Sequence, residues 1–261
     1  MPPHETTIHP TAVIHPSVEL GEGVHIGPYC VLHEGVILGD RCWLQNHVTL
    51  CGPSRIGADN RFHAYASVGQ RSQDLKYEGE PTHLEIGERN QFREFVTVNR
   101  GTSPGSCTRI GNDGHFLAYC HIAHDCVVGD HVIFSNNGTL AGHVEVGDYA
   151  IIGGLTAIHQ FCRIGDHAIT GGCSKIVQDI PPYMVADGNP AEIRGINQVG
   201  LQRRGFSEAA VRALREAHRL IWRSGKNTSQ ALEQLRQKTD PDPAVSTLID
   251  FIASSQRGIV R

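Results

Sequence analysis

His124, Gly142 and Gln160 recur at an interval of 18 residues, and each adjoins a second polar or ionisable residue in Asp125, His143 and His159. Imidazole gains and loses a proton near neutral pH, and an adjacent carboxylate can fix its tautomer and raise its basicity. His124 with Asp125 therefore has the makings of a general base. Neighbours on a strand point to opposite sides, so the two side chains can pair only across a turn or corner, which the sequence leaves open. Gly142 has no side chain and can turn a backbone N–H toward a developing oxyanion. A base beside an amide donor, with no Ser or Cys nucleophile among them, suits direct transfer of an acyl group from a thioester to a hydroxyl. The chain holds 16 histidines, and His9, His15, His25 and His33 show that many occupy ordinary positions. What sets His121, His124, His143 and His159 apart is where the repeat that carries them puts them.

That repeat has a period of six. An aliphatic residue or Phe holds the beat from Ile8 and Ile14 through Leu32, Leu50 and Phe62 to Val68. The same phase returns at Ile86, Phe92 and Val98, and again from Ile110 through Ile122, Leu140 and Ile158 to Ile164 and Ile176. Only Asp74, Glu80, Pro104 and Thr170 break it. Four residues after the beat stands a small or β-branched residue, such as Val24, Cys30, Val36 or Cys42, and Gly commonly follows the beat, as in Gly21, Gly27, Gly39, Gly57 and Gly129. This period matches neither a helix nor a simple strand; it describes a coil in which each hexad is one short strand and one corner. The spacing predicts a parallel β-helix with the beat and the small residue pointing inward. Gly after the beat is expected to give the corner either a positive φ or room. Three hexads complete a turn, turns stack at about 4.8 Å, and stability accumulates along the coil. On this count the hexads starting at Val68, Val98, Ile122, Leu140 and Ile158 share one face, which puts His124, Gly142 and Gln160 at one position on successive turns. His121 is expected at the adjoining corner.

The fold class is thus mainly β, with a solenoid over residues 1–190 and a helical domain over 191–261. Two interruptions, near 74–85 and 104–109, read as loops leaving the prism from the histidine face, and loops that exceed a repeat are often functional. In the tail, Ser207 reads as the N-cap of a helix over 208–223 with Gly225 as its stop. Thr228 or Ser229 starts a second helix, and Asp242 followed by Pro243 starts a third. A net charge of −4 offers no global basic field for nucleic acid. The first ten residues lack an apolar leader, and no segment is long and apolar enough to span a membrane, so a cytoplasmic location is expected. Of eight cysteines, Cys30, Cys42, Cys120, Cys126 and Cys162 fall on the inward small position, as reduced core thiols would. The string Gln73-Asp74-Leu75-Lys76-Tyr77 carries groups of the kind that read sugar hydroxyls, and Asn197 with Arg203 and Arg204 suits phosphate.

Together these residues resemble the UDP-N-acetylglucosamine O-acyltransferases that begin lipid A biosynthesis. The likeness covers nearly the whole chain. It rests on the Gln73–Tyr77 string, on His121-Ile122-Ala123-His124-Asp125-Cys126, on Leu140-Ala141-Gly142-His143, and on Ile151-Ile152-Gly153-Gly154. It continues through Thr156-Ala157-Ile158-His159-Gln160-Phe161, Gly171-Gly172-Cys173-Ser174 and Arg203-Arg204-Gly205-Phe206-Ser207. The resemblance implies a left-handed parallel β-helix, an exception to the usual right-handed crossover, assembled as a homotrimer with active sites between subunits. It implies transfer of an (R)-3-hydroxyacyl group from acyl carrier protein to the glucosamine 3-hydroxyl of UDP-N-acetylglucosamine, with no cofactor and no metal. His124 would then be the general base, Asp125 its partner, and the Gly142 N–H the oxyanion donor. Gln73, Asp74 and Lys76 would meet the sugar, and His121, His143 and His159 would line the cleft. Gln160, Asn197, Arg203 and Arg204 would serve the nucleotide and its phosphates. Gly172, with Ile169 nearby, stands where the family measures the acyl chain, and a glycine there implies a long one.

Two positions depart from the family pattern. Asn99 stands before Arg100-Gly101 where His is usual, and Val199 stands where Glu is usual. Asn99 can hydrogen-bond to sugar but cannot carry a proton at neutral pH, and Val199 offers no polar side-chain contact. A second acceptor stays open for that reason: a diamino-sugar nucleotide taking the acyl group as an amide. The related N-acyltransferases of the same pathway usually carry an extra domain before the repeats, whereas these repeats begin at Ile8. From another class, a γ-type carbonic anhydrase would hold zinc through histidines such as His121, His124 and His143. A purely structural solenoid would leave the one-sided gathering of these groups without a cause.

Overall fold

The computed structural model describes residues 5–237 and 242–261. Strands three hexads apart pair in parallel, giving three flat sheets of 11, 9 and 8 strands among the described residues, called A, B and C. They wind as a left-handed parallel β-helix. The chain passes from A to B to C within each turn, and the register holds from coil to coil. On sheet B, for example, Thr97, His121, Thr139, Ala157 and Lys175 stand directly above one another. The beat residues and the small residues four positions later form the buried prism interior, from Val24 and Ile26 to Cys162 and Ile164. Phe62, Phe92, Phe116 and Phe134 run down the interior of sheet A with ring centroids 5.0, 4.9 and 5.2 Å apart. Thr170 holds its beat position inside the prism because its hydroxyl accepts the Gly153 N–H at 2.8 Å. Cys30, Cys42, Cys120, Cys126 and Cys162 are free and buried, and burial pushes the Cys42 thiol up to about 12.

The corners differ from expectation in one respect. Positive φ falls on the third residue after the beat, and there glycine carries it at Gly23 and Gly35 but other residues do at most coils, among them Tyr29, Tyr65, Asp125, His143, Phe161 and His167. The glycine that follows the beat serves the other purpose: a Cβ on Gly27 or Gly39 would collide with the backbone of the next coil. Room, not dihedral freedom, selects it.

The two interruptions leave at the corner between sheets B and C, but their limits shift. His83–Ile86 and Cys107–Ile110 are strands of sheet C, paired in register over four residues, so the loops span 71–82 and 100–106. The expected loop ends at 85 and 109 gave way to ladder hydrogen bonds between segments 24 residues apart, a pairing no local pattern announces.

Past the last coil, Met184–Gly188 and Ala191–Ile196 form an antiparallel hairpin on sheet A. Four α-helices follow among the described residues: α1 (Gln198–Arg203), α2 (Glu208–His218), α3 (Thr228–Arg236) and α4 (Pro243–Ser254). Ser207 caps α2, which runs into a π-helical turn at Arg219–Arg223, and Asp242 caps α4 ahead of Pro243. The N-cap of α3 is Asn227, which forms a reciprocal capping box with Gln230. Helix α1 was not foreseen. The tail closes onto the prism, where Val260 N–H bonds the Asp179 carbonyl at 2.9 Å and the Arg163 guanidinium lies 4.4 Å over the Phe251 ring. Among the described residues no helix is long and apolar enough to cross a membrane.

Candidate active site

The B–C corner decides whether His124 and Asp125 can meet. His124 follows the strand His121–Ile122, and Asp125 takes φ 61° as the chain turns toward Val127–Val128. The left-handed residue rotates its carboxylate back onto its neighbour's side, and His124 Nδ1 lies 2.8 Å from Asp125 Oδ2. Asp125 is largely enclosed, with its side chain 8% exposed. Burial by itself would push this carboxyl up; hydrogen bonds and nearby imidazoles outweigh that, and it sits below the usual carboxylate range. The Thr102 N–H donates to both carboxylate oxygens at 3.3 and 3.1 Å. The Asp125 N–H in turn donates to Thr108 Oγ1 at 2.8 Å. With Nδ1–H directed at a carboxylate, Nε2 is the free lone pair. It lies 4.0 Å from Asp74 Oδ2, beyond direct hydrogen-bond range.

Gly142 lies one coil along, directly under the His124 ring. A Cβ there would collide with the imidazole, so only glycine lets the base lie flat across this coil. The flanking N–H groups of Ala141 and His143 are spent on the Ile158 and His124 carbonyls, while the Gly142 N–H makes no hydrogen bond among the described residues. His143 meets the His124 ring edge-on at 5.2 Å and stacks on Phe161 at 4.7 Å. Its Nε2 is 3.7 Å from Asp125 Oδ2. His121 stands on the strand, not at the corner, facing out from sheet B with Nδ1 2.7 Å from Thr97 Oγ1. Burial, then the neighbouring His124, lowers its pKa and keeps it neutral. His159 is exposed, its Nδ1 3.1 Å from the Gln160 carbonyl and 3.4 Å from Arg257 Nη2. Gln160 is exposed one coil past Gly142.

The loop 71–82 brings Gln73, Asp74 and Lys76 over this corner. Asp74 Oδ1 accepts the Lys76 N–H at 2.9 Å, which tightens the turn. Gln73 and Lys76 are exposed, and a cavity of 580 Å³ lined by Gln70, Ser72, Gln73, Asp74, Tyr77 and Asn99 opens beside them. Asn99 is buried behind the loop, its amide donating to the Arg71 carbonyl at 2.7 Å.

The nucleotide-side residues lie elsewhere. Asn197 accepts the Gly200 N–H at 3.0 Å and donates to the His167 carbonyl at 2.9 Å, so its side chain caps α1. The Arg204 guanidinium lies 4.1 Å over the Tyr149 ring, and Arg203 is exposed beside it. Tyr149 and His167 belong to the C–A corner, where they stack with His131. Gly172 is exposed at the A–B corner, with only the Gly154 carbonyl, at 3.4 Å, near an added Cβ; Ile169 is half-buried on the strand just before that corner.

Sequence reasoning missed Ser72, Thr97, Thr102 and Tyr149. Tyr149 alone had a signal, since it sits midway between His131 and His167 at the same 18-residue spacing. As for metal, His124, Asp125 and His143 bring ligand atoms within 4.8 Å of one another. His121, engaged with Thr97, lies outside that group.

Comparison with known proteins follows the same lines. Residues 179–260 match the family model for domain 2 of UDP-N-acetylglucosamine O-acyltransferase. LpxA from Acinetobacter baumannii is 46% identical over 97% of this chain and 99% of its own, with a TM-score of 0.94. UDP-N-acetylglucosamine O-acyltransferase from Moraxella catarrhalis is 44% identical over 97% and 99%, also at 0.94. The UDP-N-acetylglucosamine acyltransferase of Arabidopsis is 37% identical over 97% and 100%, at 0.88.

Proposed function

Because the chain belongs to the UDP-N-acetylglucosamine O-acyltransferase family, we propose that it moves an (R)-3-hydroxyacyl group from acyl carrier protein to the 3-hydroxyl of the glucosamine in UDP-N-acetylglucosamine. The observation that carries this reading is the His124–Asp125 pair, with Nε2 facing Asp74 across 4.0 Å. The acceptor hydroxyl donates to Nε2, while Asp74, an acceptor, holds the sugar through a neighbouring hydroxyl. As Nε2 takes the proton, the sugar oxygen attacks the thioester carbonyl and a C–O bond forms. The Gly142 N–H stabilises the oxyanion. Collapse breaks the C–S bond, and the imidazolium returns its proton to the departing thiolate. Asp125 keeps the ring in the Nδ1–H tautomer and stabilises its transient charge.

Gln73 and Lys76 flank the sugar, and His121, His143 and His159 line the cleft with Gln160 toward the diphosphate. The outer face of sheet B runs from this corner to Gly172, whose open surroundings suit a long hydroxyacyl chain, with Ile169 at its side. Asn197, Arg203 and Arg204 serve the nucleotide from the C–A corner. A site that uses the base at one corner and the arginines at another is supplied by two copies, which favours a homotrimer with sites between subunits.

The test is an acyl-transfer assay with UDP-N-acetylglucosamine and (R)-3-hydroxymyristoyl carrier protein. Wild type should form product, and His124→Ala, with its assembly unchanged, should lose on the order of a hundredfold or more. A His124→Ala enzyme of wild-type rate would remove His124 as the base. A wild type that acylates only a diamino-sugar nucleotide would move the acceptor from oxygen to nitrogen.

A further inference from the structure

Two buried hydroxyls link the loops that leave the B–C corner. Ser72 in the first loop and Thr102 in the second are 6% and 8% exposed, unusual burial for polar residues on long loops. Ser72 Oγ and Thr102 Oγ1 are 2.6 Å apart. On one side of the pair, Ser72 Oγ accepts the Asp74 N–H at 3.1 Å. On the other, the Thr102 N–H donates to the Asp125 carboxylate. The chain of contacts thus runs from the carboxylate on the Nδ1 side of His124, through Thr102 and Ser72, to the carboxylate on its Nε2 side.

We propose that Ser72 and Thr102 are positioning residues that set the gap between Asp74 and the His124 Nε2, and so control how the acceptor sugar is held. The proposal rests on the acyl-transfer reading above. Asp74 sits in the loop that leaves the prism after Gln70 and returns at His83, and a shift of about 1 Å there would misplace the sugar it holds relative to Nε2. A hydroxyl pair shielded from water is a directional tie that an apolar contact would not reproduce. Neither side chain reaches the reacting atoms, which separates their role from that of Asp74 or Asp125.

The two ends can be cut independently. Thr102→Val keeps the backbone N–H on Asp125 and the side-chain shape while removing the hydroxyl, and Ser72→Ala removes the other. Each should raise KM for UDP-N-acetylglucosamine about tenfold, the worth of one buried hydrogen bond, with kcat, KM for the acyl carrier and the pH profile of kcat little changed. The double variant should be no worse than either single one, and Thr102→Ser should restore the wild-type value. Effects that multiply, a loss confined to kcat, or no change in KM would overturn the proposal. Amide hydrogen exchange separates this outcome from a failure of the functional reading, since it needs no turnover. Thr102→Val should speed exchange at Asp74 and Lys76, in the loop it does not belong to. Unchanged exchange there would refute the tie whether or not the wild type proves to be an acyltransferase.

Discussion

At the scale of single residues, burial sets the protonation of one imidazole that borders the candidate site. His121 faces outward from sheet B yet is half-buried, and that burial, reinforced by His124, holds its pKa below the ordinary value. The folded chain therefore binds a proton at His121 less readily than the unfolded chain, whose value is about 6.5. Stability from this source is fully present above that pH and is lost as pH falls through and below it, because the unfolded state gains the proton first. His63, His167 and His218 are shifted the same way, each chiefly by burial. Wild type should thus lose stability steadily from neutral pH toward pH 5, and His121→Gln, which cannot protonate, should show a shallower decline. Denaturant midpoints measured across that range decide the matter; parallel curves for the two proteins would mean that His121 titrates alike in both states. The hydrogen bond with Thr97 Oγ1 explains why the ring tolerates its place as a neutral group.

At the scale of elements, a coil is stabilised mainly by what lies above and below it. Phe92 is fully buried between Phe62 and Phe116, stacked on each at about 5 Å with nearly parallel rings. Phe92→Ala should cost about 3–5 kcal/mol, seen as a lowered thermal midpoint at fixed protein concentration, with hydrogen exchange rising first in the coils on either side. A variant that melts with wild type would show that the stack is dispensable. The hexad made this layer legible before any coordinates, because a strict period assigns the inward positions one by one. It also put His124, Gly142 and Gln160 at one position on three successive coils of one face, which the structure makes the B–C corner. The hand of the coil was not in the period and came only with the resemblance. The loop limits escaped because His83–Ile86 becomes a strand only by pairing with Cys107–Ile110. Asn197 reads as a phosphate ligand by residue type, and its amide also caps α1, a helix whose six residues carry too little periodicity to be foreseen. The pairing of His124 with Asp125 turned on one dihedral angle, which a corner of this coil imposes and residue identity alone does not.

At the scale of the whole molecule, the decisive fact is that the groups proposed for one reaction occupy two corners of the prism. His124, Asp125 and Gly142 stand at the B–C corner, whereas Arg204 lies over Tyr149 at the C–A corner. If one copy lends its base and the next its arginines, the two halves of a site can be inactivated separately and then recombined. His124→Ala subunits keep intact arginines, and Arg204→Ala subunits keep an intact base. Each homogeneous protein should be severely impaired. Unfolding and refolding the two together should produce mixed assemblies in which about a quarter of the interfaces join a wild-type base to a wild-type arginine. Activity should rise to roughly that share of the wild-type rate, with KM for the nucleotide restored to the wild-type value at the repaired sites. A site contained within one subunit predicts no recovery, since every subunit in the mixture carries one lesion. Mixing folded proteins without subunit exchange should likewise give nothing, which separates repaired interfaces from simple addition of two weak enzymes. Recovery near a quarter would therefore place the base and the nucleotide-binding arginines of each working site on different chains, and would make assembly a condition of catalysis.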